Sequence, residues 1–189
     1  GNPDLERGLL DNYDVRFEAF PGLSEVMAVG VFYKNLRQPI ERVLKAGSTG
    51  ALLVPENSAE GRNQGIELEA RVGPGRVWSP LSRFSINSNA SLISSKVTLY
   101  PTLSRTGTTE HPLQGQADYL VNVGLGYLIQ GRIDATVMVH AIGTRLAALG
   151  YDPLPDIYEQ PYTTVVAALD MMVFCNARLK LAGRNLVRP

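Results

Sequence analysis

A single cysteine, Cys175, stands among 189 residues, so the chain can form neither an internal disulfide nor a two-thiol redox or metal site. As a lone thiol it is expected to be buried or lipid-facing. Histidine is almost as scarce: around His111 and His140 no Cys, His, Asp or Glu cluster has the spacing of metal ligands. A net charge is missing as well. Eighteen basic and eighteen acidic residues cancel, and no Lys/Arg run supplies a local field, which argues against nucleic acid as a partner. No window approaches the roughly 18 apolar residues of a transmembrane helix. That absence leaves a transmembrane barrel open, because its strands need only about ten alternating residues. The start, Gly1 followed by Asn2-Pro3-Asp4-Leu5-Glu6, lacks the methionine and charged n-region of a secretory signal. It is expected to be the cut end of a longer chain, with Gly1 a cloning remnant. With 44% hydrophobic and 19% charged residues the sequence is that of an ordered chain, one domain being the default.

What is present is alternation. In the stretch from Leu113 to Gln130, residues Tyr119, Val121, Val123, Leu125 and Tyr127 share one strand face and Leu120, Asn122, Gly124, Gly126 and Leu128 the other. At ~3.3 Å per residue the two tyrosines lie about 26 Å apart along the strand, which at a tilt of about 45° is near the height of a bilayer's apolar band. The design recurs. Tyr13, Val15, Phe17 and Ala19 alternate with Asp14, Arg16 and Glu18 before the turn Pro21-Gly22. Met27, Val29, Val31 and Tyr33 form the apolar face of the next strand. Ile66, Leu68, Ala70 and Val72 stand against a charged face of Glu67, Glu69 and Arg71. Similar patterns place Phe84, Ile86, Ala90 and Leu92 on one face of a long polar strand, and Ile133, Ala135, Val137, Val139 and Ala141 opposite Asp134, Thr136, Met138 and His140. A last pair carries Val165, Ala167, Leu169, Met171 and Val173, then Leu179 and Leu181.

The predicted strands are therefore residues 12–20, 26–36, 65–72, 84–98, 119–128, 133–146, 162–174 and 177–187, an all-β chain in up-and-down antiparallel order. The links after the first, third, fifth and seventh are short to moderate, near Pro21, Gly75, Gly131 and Asn176. Those after the second, fourth and sixth are long and polar. Outer-membrane barrels have that asymmetry. Tyr13, Tyr33 and Tyr119 fall near long loops and Phe84 and Tyr127 near short turns, sketching two aromatic girdles. A soluble antiparallel barrel or sandwich with its core on the apolar face fits the same periodicity.

A family resemblance bears on that choice. Asn2 to Gly22 (NPDLERGLLDNYDVRFEAFPG), Val29 to Glu41 (VGVFYKNLRQPIE), Gly65 to Arg71 (GIELEAR), Leu113 to Tyr127 (LQGQADYLVNVGLGY), Pro155 to Pro161 (PDIYEQP) and Leu179 to Pro189 (LKLAGRNLVRP) together resemble the C-terminal part of the barrel of TonB-dependent outer-membrane receptors. The resemblance implies that residues 1–189 are one segment of a 22-stranded transmembrane barrel, without plug domain, TonB box or final strand. It further implies a bacterial outer-membrane location, lipid as a partner, and TonB engaged only through missing N-terminal parts. The implied function is uptake of a chelated metal, cobalamin or a glycan. In that family ligands meet the long loops, so Arg62, Arg105, Asp152 and Tyr158 are the implied substrate-binding residues. The alternative is a small self-contained β-barrel that binds an apolar ligand or serves as a structural outer-membrane protein.

Enzyme chemistry finds little footing. The serines lack a GxSxG context, and a triad would need His140 beside a strand serine such as Ser91. Only such an esterase-like barrel keeps hydrolysis in view. Gly73-Pro74-Gly75-Arg76 lacks the ending of a phosphate loop. Glu67 and Glu69 could act as acid and base, but with Arg16, Arg71, Arg178 and Lys180 on faces of the same kind they read as lumen-lining charges in a cross-strand network. No catalytic residue, metal site or cofactor is predicted. Eight strands with two open edges are expected to self-associate or to need detergent.

Overall fold

The computed structural model describes residues 2–48, 50–101, 109–174 and 177–187. Through them run β1 (Leu9–Ala19), β2 (Val26–Arg37), β3 (Ile40–Gly47), β4 (Gly50–Asn57), β5 (Glu60–Val72), β6 (Phe84–Thr98), β7 (Glu110–His111), β8 (Tyr119–Ile129), β9 (Ile133–Ile142), β10 (Arg145–Gly150), β11 (Ile157–Glu159), β12 (Tyr162–Phe174) and β13 (Ala177–Gly183). Two single-turn 3-10 helices, Pro74–Arg76 and Ser79–Leu81, sit between β5 and β6. No helix among the described residues is long and apolar enough to cross a membrane, which says nothing about strands.

Eight strands build a wall in the order β1-β2-β5-β6-β8-β9-β12-β13, antiparallel throughout, with β7 attached to β6. These are the eight predicted strands in the predicted up-and-down order. Because the side-chain period is two, the register decides whether apolar positions meet. They do: Val15, Val31, Ile66, Leu92 and Tyr119 form one continuous row, and Phe17, Val29, Leu68, Ala90, Val121 and Ala141 form the next. Tyr13 faces Tyr33 at one end of this face, and Phe84 packs on Tyr127 at the other with ring centroids 4.9 Å apart. The wall does not close on itself; β1 and β13 are its edges.

The long connections are not plain loops. They carry a second sheet, β11-β10-β3-β4, in which β10 runs parallel to β3 and the other pairs are antiparallel. We call it the crown. Sequential antiparallel order puts it at the end of the wall opposite the connections 20–25, 73–83 and 130–132. The β12–β13 connection falls on residues 175 and 176, outside the described residues, so the environment expected for Cys175 is outside them too.

Among the described residues, the buried hydrophobic side chains are Val43, Val97, Leu99, Ala117, Leu146, Ala148 and Leu149, with only Ala28 on the wall away from the crown, toward its short-turn end. The core thus lies in and beneath the crown. Val97 and Leu99 are odd-numbered, as are the polar-face positions of β6, so the crown folds over the polar side of the wall's end. The apolar face is left uncovered: Val15 and Phe17 are 70% and 69% exposed.

Four boundaries differ from expectation. The first and third strands start earlier, at Leu9 and Glu60, because the residues before the alternation are still held in the ladder, Leu9 to Asp11 by β2 and the polar Glu60 to Gln64 by β2 and β6. The strand expected to reach Leu146 stops at Ile142. At Gly143 the chain swerves so closely past the Asp118 side chain that an added Cβ would stand 1.7 Å from its carboxylate oxygen, and Arg145–Gly150 joins the crown instead. The last strand ends at Gly183 rather than at residue 187, and Leu186 folds back to donate its N–H to the Val165 carbonyl at 3.2 Å. Within the wall the Phe32 ring covers Gly65, where a Cβ would come within 2.7 Å of ring carbons, so an aromatic side chain fills the gap a strand glycine leaves.

The crown's edges are blunted. On β4, Pro55 has no N–H, and its carbonyl accepts a hydrogen bond from Asn2 Nδ2 at 3.1 Å. Asn57 accepts the Glu6 N–H at 2.8 Å and donates to the Glu6 carbonyl at 2.9 Å. At the opposite edge β11 is three residues long.

Candidate functional site

Two polar assemblies stand out, one on the wall and one in the crown. On the wall, Arg16 donates to Glu18 at 2.6 Å and to Glu69 at 2.7 Å. Farther along the face, His140 Nδ1 donates to Asn122 Oδ1 at 2.5 Å, and Asn122 Nδ2 donates to Asn89 Oδ1 at 2.7 Å. Register pairing joins these groups, since Glu69 faces Asn89, Asn89 faces Asn122 and Asn122 faces His140. At the far side Asp170 stands 3.3 Å from Arg178 and 3.4 Å from Lys180. Glu67 and Arg71 lie on the same face without an ion pair among the described residues. Ser91, the serine weighed for a triad, lies two strands from His140 and two residues off its row, roughly 12 Å by strand spacing.

The crown assembly centres on Glu41, a carboxylate only 2% exposed. Ser58 Oγ donates to Oε2 at 2.6 Å, the Gln114 N–H donates to Oε1 at 3.3 Å, and His111 Nε2 stands 3.3 Å from Oε2. His111 Nδ1 donates to the Pro112 carbonyl at 2.8 Å, so its other nitrogen can donate to Glu41 only when the ring is protonated. Burial opposes that charge most strongly. The Glu41 carboxylate, the Pro112 carbonyl and Asp156 together outweigh it, and the His111 pKa lies above its ordinary value. A single buried pair thereby ties β3, the β4–β5 link, β7 and the segment before β8. Gln114 Nε2 also donates to the carbonyls of Arg42 at 3.0 Å and Ala147 at 2.9 Å.

The residues expected to meet a substrate are scattered. Asp152 lies in the turn between β10 and β11. Tyr158 lies in β11, its phenol pushed above the usual pKa by burial and by Asp156, beside the Arg145–Glu159 pair at 2.5 Å. Arg62 is corrected in place: it is in β5, not in a loop. Arg105 falls outside the described residues. Sequence reading missed Glu41, Ser58 and Gln114, and its one pointer was the scarce His111. Among the described residues no group of three or more His, Cys, Asp or Glu could hold a metal ion.

An open antiparallel wall with one continuous uncovered apolar face, aromatic residues at both ends of that face and a structured crown on one rim defines the chain as a piece of a membrane-type β-barrel. More particularly, the sequence matches the family described as TonB dependent receptor-like, beta-barrel over residues 1–186, and the chain belongs to it. That family comprises outer-membrane transporters, not enzymes. Solved structures agree on the fold. The chain is similar to the ferric enterobactin receptor PfeA of Pseudomonas aeruginosa (TM-score 0.60, 15% identity, 98% of this chain and 26% of that one). It is similar also to the ferric-catecholate import receptor Fiu of E. coli K12 (0.68, 12%, 98% and 24%) and to the copper transporter OprC (0.66, 13%, 97% and 26%). The chain thus spans about a quarter of the length of these structures. No curated protein matches the sequence.

Proposed function

We propose that the chain is the wall and crown of part of a TonB-dependent outer-membrane transporter that imports a metal chelate. The uncovered apolar face carries this reading: it turns to lipid, the face of Arg16, Glu67, Glu69 and Arg71 turns to the lumen, and the crown stands outside the cell. The names of the similar structures, two ferric-chelate receptors and a copper transporter, support a metal-bearing substrate, whereas nothing in them points to cobalamin or a glycan. Asp152, Tyr158 and Arg105 are the substrate-binding residues in this reading, and TonB is engaged through parts of the receptor outside this chain. In iron-starved cells, growth on a ferric catecholate is expected to require both the full-length receptor and energised TonB. Tyr158→Ala should weaken binding of the chelate to whole cells. Growth that survives loss of TonB, or of the receptor, would overturn the assignment.

A second expectation concerns the chain by itself. With β1 and β13 unpaired, each edge presents backbone donors and acceptors to another strand, and the uncovered apolar face far exceeds the few hundred Å² that soluble monomers tolerate. Sedimentation without detergent should show association, and a compact monomer would count against it.

A further inference from the structure

We propose that Arg62 and Lys96 form a docking site for the phosphate group of an outer-leaflet lipid on the outside of the wall. The inference rests on the lipid-facing orientation proposed above. Arg62 faces both Asn35 and Lys96 in the ladder. By strand parity all three share the apolar face with Val31, Ile66 and Leu92, and they stand two residues, about 7 Å, beyond Tyr33. Interfacial tyrosines mark the level of lipid headgroups. A cation one step beyond them on the lipid side therefore meets headgroups and not a chelate arriving through the lumen.

The two faces at this height differ sharply. Asn63 and Val97, neighbours of Arg62 and Lys96 in sequence, are 4% and 0% exposed beneath the crown. Arg62 itself is exposed. Several other charges on the wall are matched within the protein: Arg37 with Asp11 at 3.3 Å, Arg16 with two glutamates, and Asp170 with two cations. Two cations directly opposite one another disfavour a sheet. Glu110 answers Lys96 at 2.5 Å, but Arg62 has no ion pair among the described residues. Its neighbours Tyr33, Asn35, Glu60, Lys96 and Glu110 line an open polar groove. Immediately toward the membrane centre Val31, Ile66 and Leu92 line an apolar one. Together they suit an amphiphile whose phosphate takes the guanidinium fork and whose acyl chains run down the wall.

The test is made on the full-length receptor purified from outer membranes in mild detergent, with co-purified phosphorylated lipid measured per receptor. Folding is checked by heat-modifiable electrophoretic mobility. Arg62→Gln with Lys96→Gln is expected to lower retained lipid at least about fivefold, the effect of removing one interfacial cation. Arg62→Lys should keep part of it, and Arg37→Gln, one row farther from the membrane, opposite Glu60 and paired with Asp11, should change nothing. Inorganic phosphate added to the wild type should not displace the lipid. Unchanged retention in the folded double variant would overturn the site. So would an equal loss in Arg37→Gln, which would mean unspecific rim charge, or displacement by inorganic phosphate, which would mean a free-anion site. Loss of chelate uptake with lipid retention intact would instead strike only at the transport reading.

Discussion

Glu41→Ala in the full-length receptor is expected to loosen the crown by about 3–5 kcal/mol, the usual cost of removing one partner of a buried ion pair. The substitution leaves the His111 ring, the Ser58 hydroxyl and the Gln114 N–H without their shared acceptor in a site closed to water. Since the pair joins four segments, the loss should appear as faster hydrogen exchange throughout β3, β4 and β7 while the wall is unaffected. Equal protection in variant and wild type would remove Glu41 from its central place. The same pair gives a pH dependence. A histidine whose folded pKa is raised lends stability that is complete below its unfolded pKa, about 6.5, and is lost as pH rises through the folded value. Crown protection measured against His111→Gln at each pH should thus be greatest in mild acid and vanish on the alkaline side. The opposite trend would mean that His111 is held neutral in the folded crown.

The second large effect tests which way the wall faces. Val123 lies midway between Tyr119 and Tyr127 on the apolar face, while its neighbour Asn122 bonds Asn89 and His140 on the other. Val123→Arg places a charge against the centre of the bilayer, at a cost of about 2–4 kcal/mol. Asn122→Arg points into a polar lumen and should cost far less. Folding into lipid vesicles, followed by urea titration of the full-length receptor, measures both. Equal penalties, or a larger one at Asn122, would reverse the assignment of faces.

Why the wall could be read from sequence and the crown could not has a physical basis. Each wall strand lies between two unlike surroundings, so every second residue is forced to the same type. The alternation of Tyr119 to Tyr127 or of Ile66 to Val72 then states both the strand and its register. The alternation fades at the wall's rim. Glu60 to Gln64 is polar on both faces, so period two marks β5 only from Gly65 and leaves Arg62 in the preceding loop. Crown strands pack on one another and on the wall's end, with Val43-Leu44 and Leu52-Leu53-Val54 as adjacent apolar residues, so no period separates them from a loop. Glu41 is still less legible. Nothing in its neighbourhood distinguishes a buried carboxylate from a solvated one until β7 and the segment holding Gln114 are brought to it by long-range folding.

Pro55 adds something about how neighbouring receptors can coexist. A strand whose rim carries a missing donor and an already occupied acceptor cannot recruit a further strand at that point, and the opposite rim, β11, is too short to hold one firmly. In a densely populated membrane the crowns of adjacent molecules can then jostle without zippering into shared sheets. Any misassembly is steered to the long flanks β1 and β13, where a correctly completed barrel leaves nothing open.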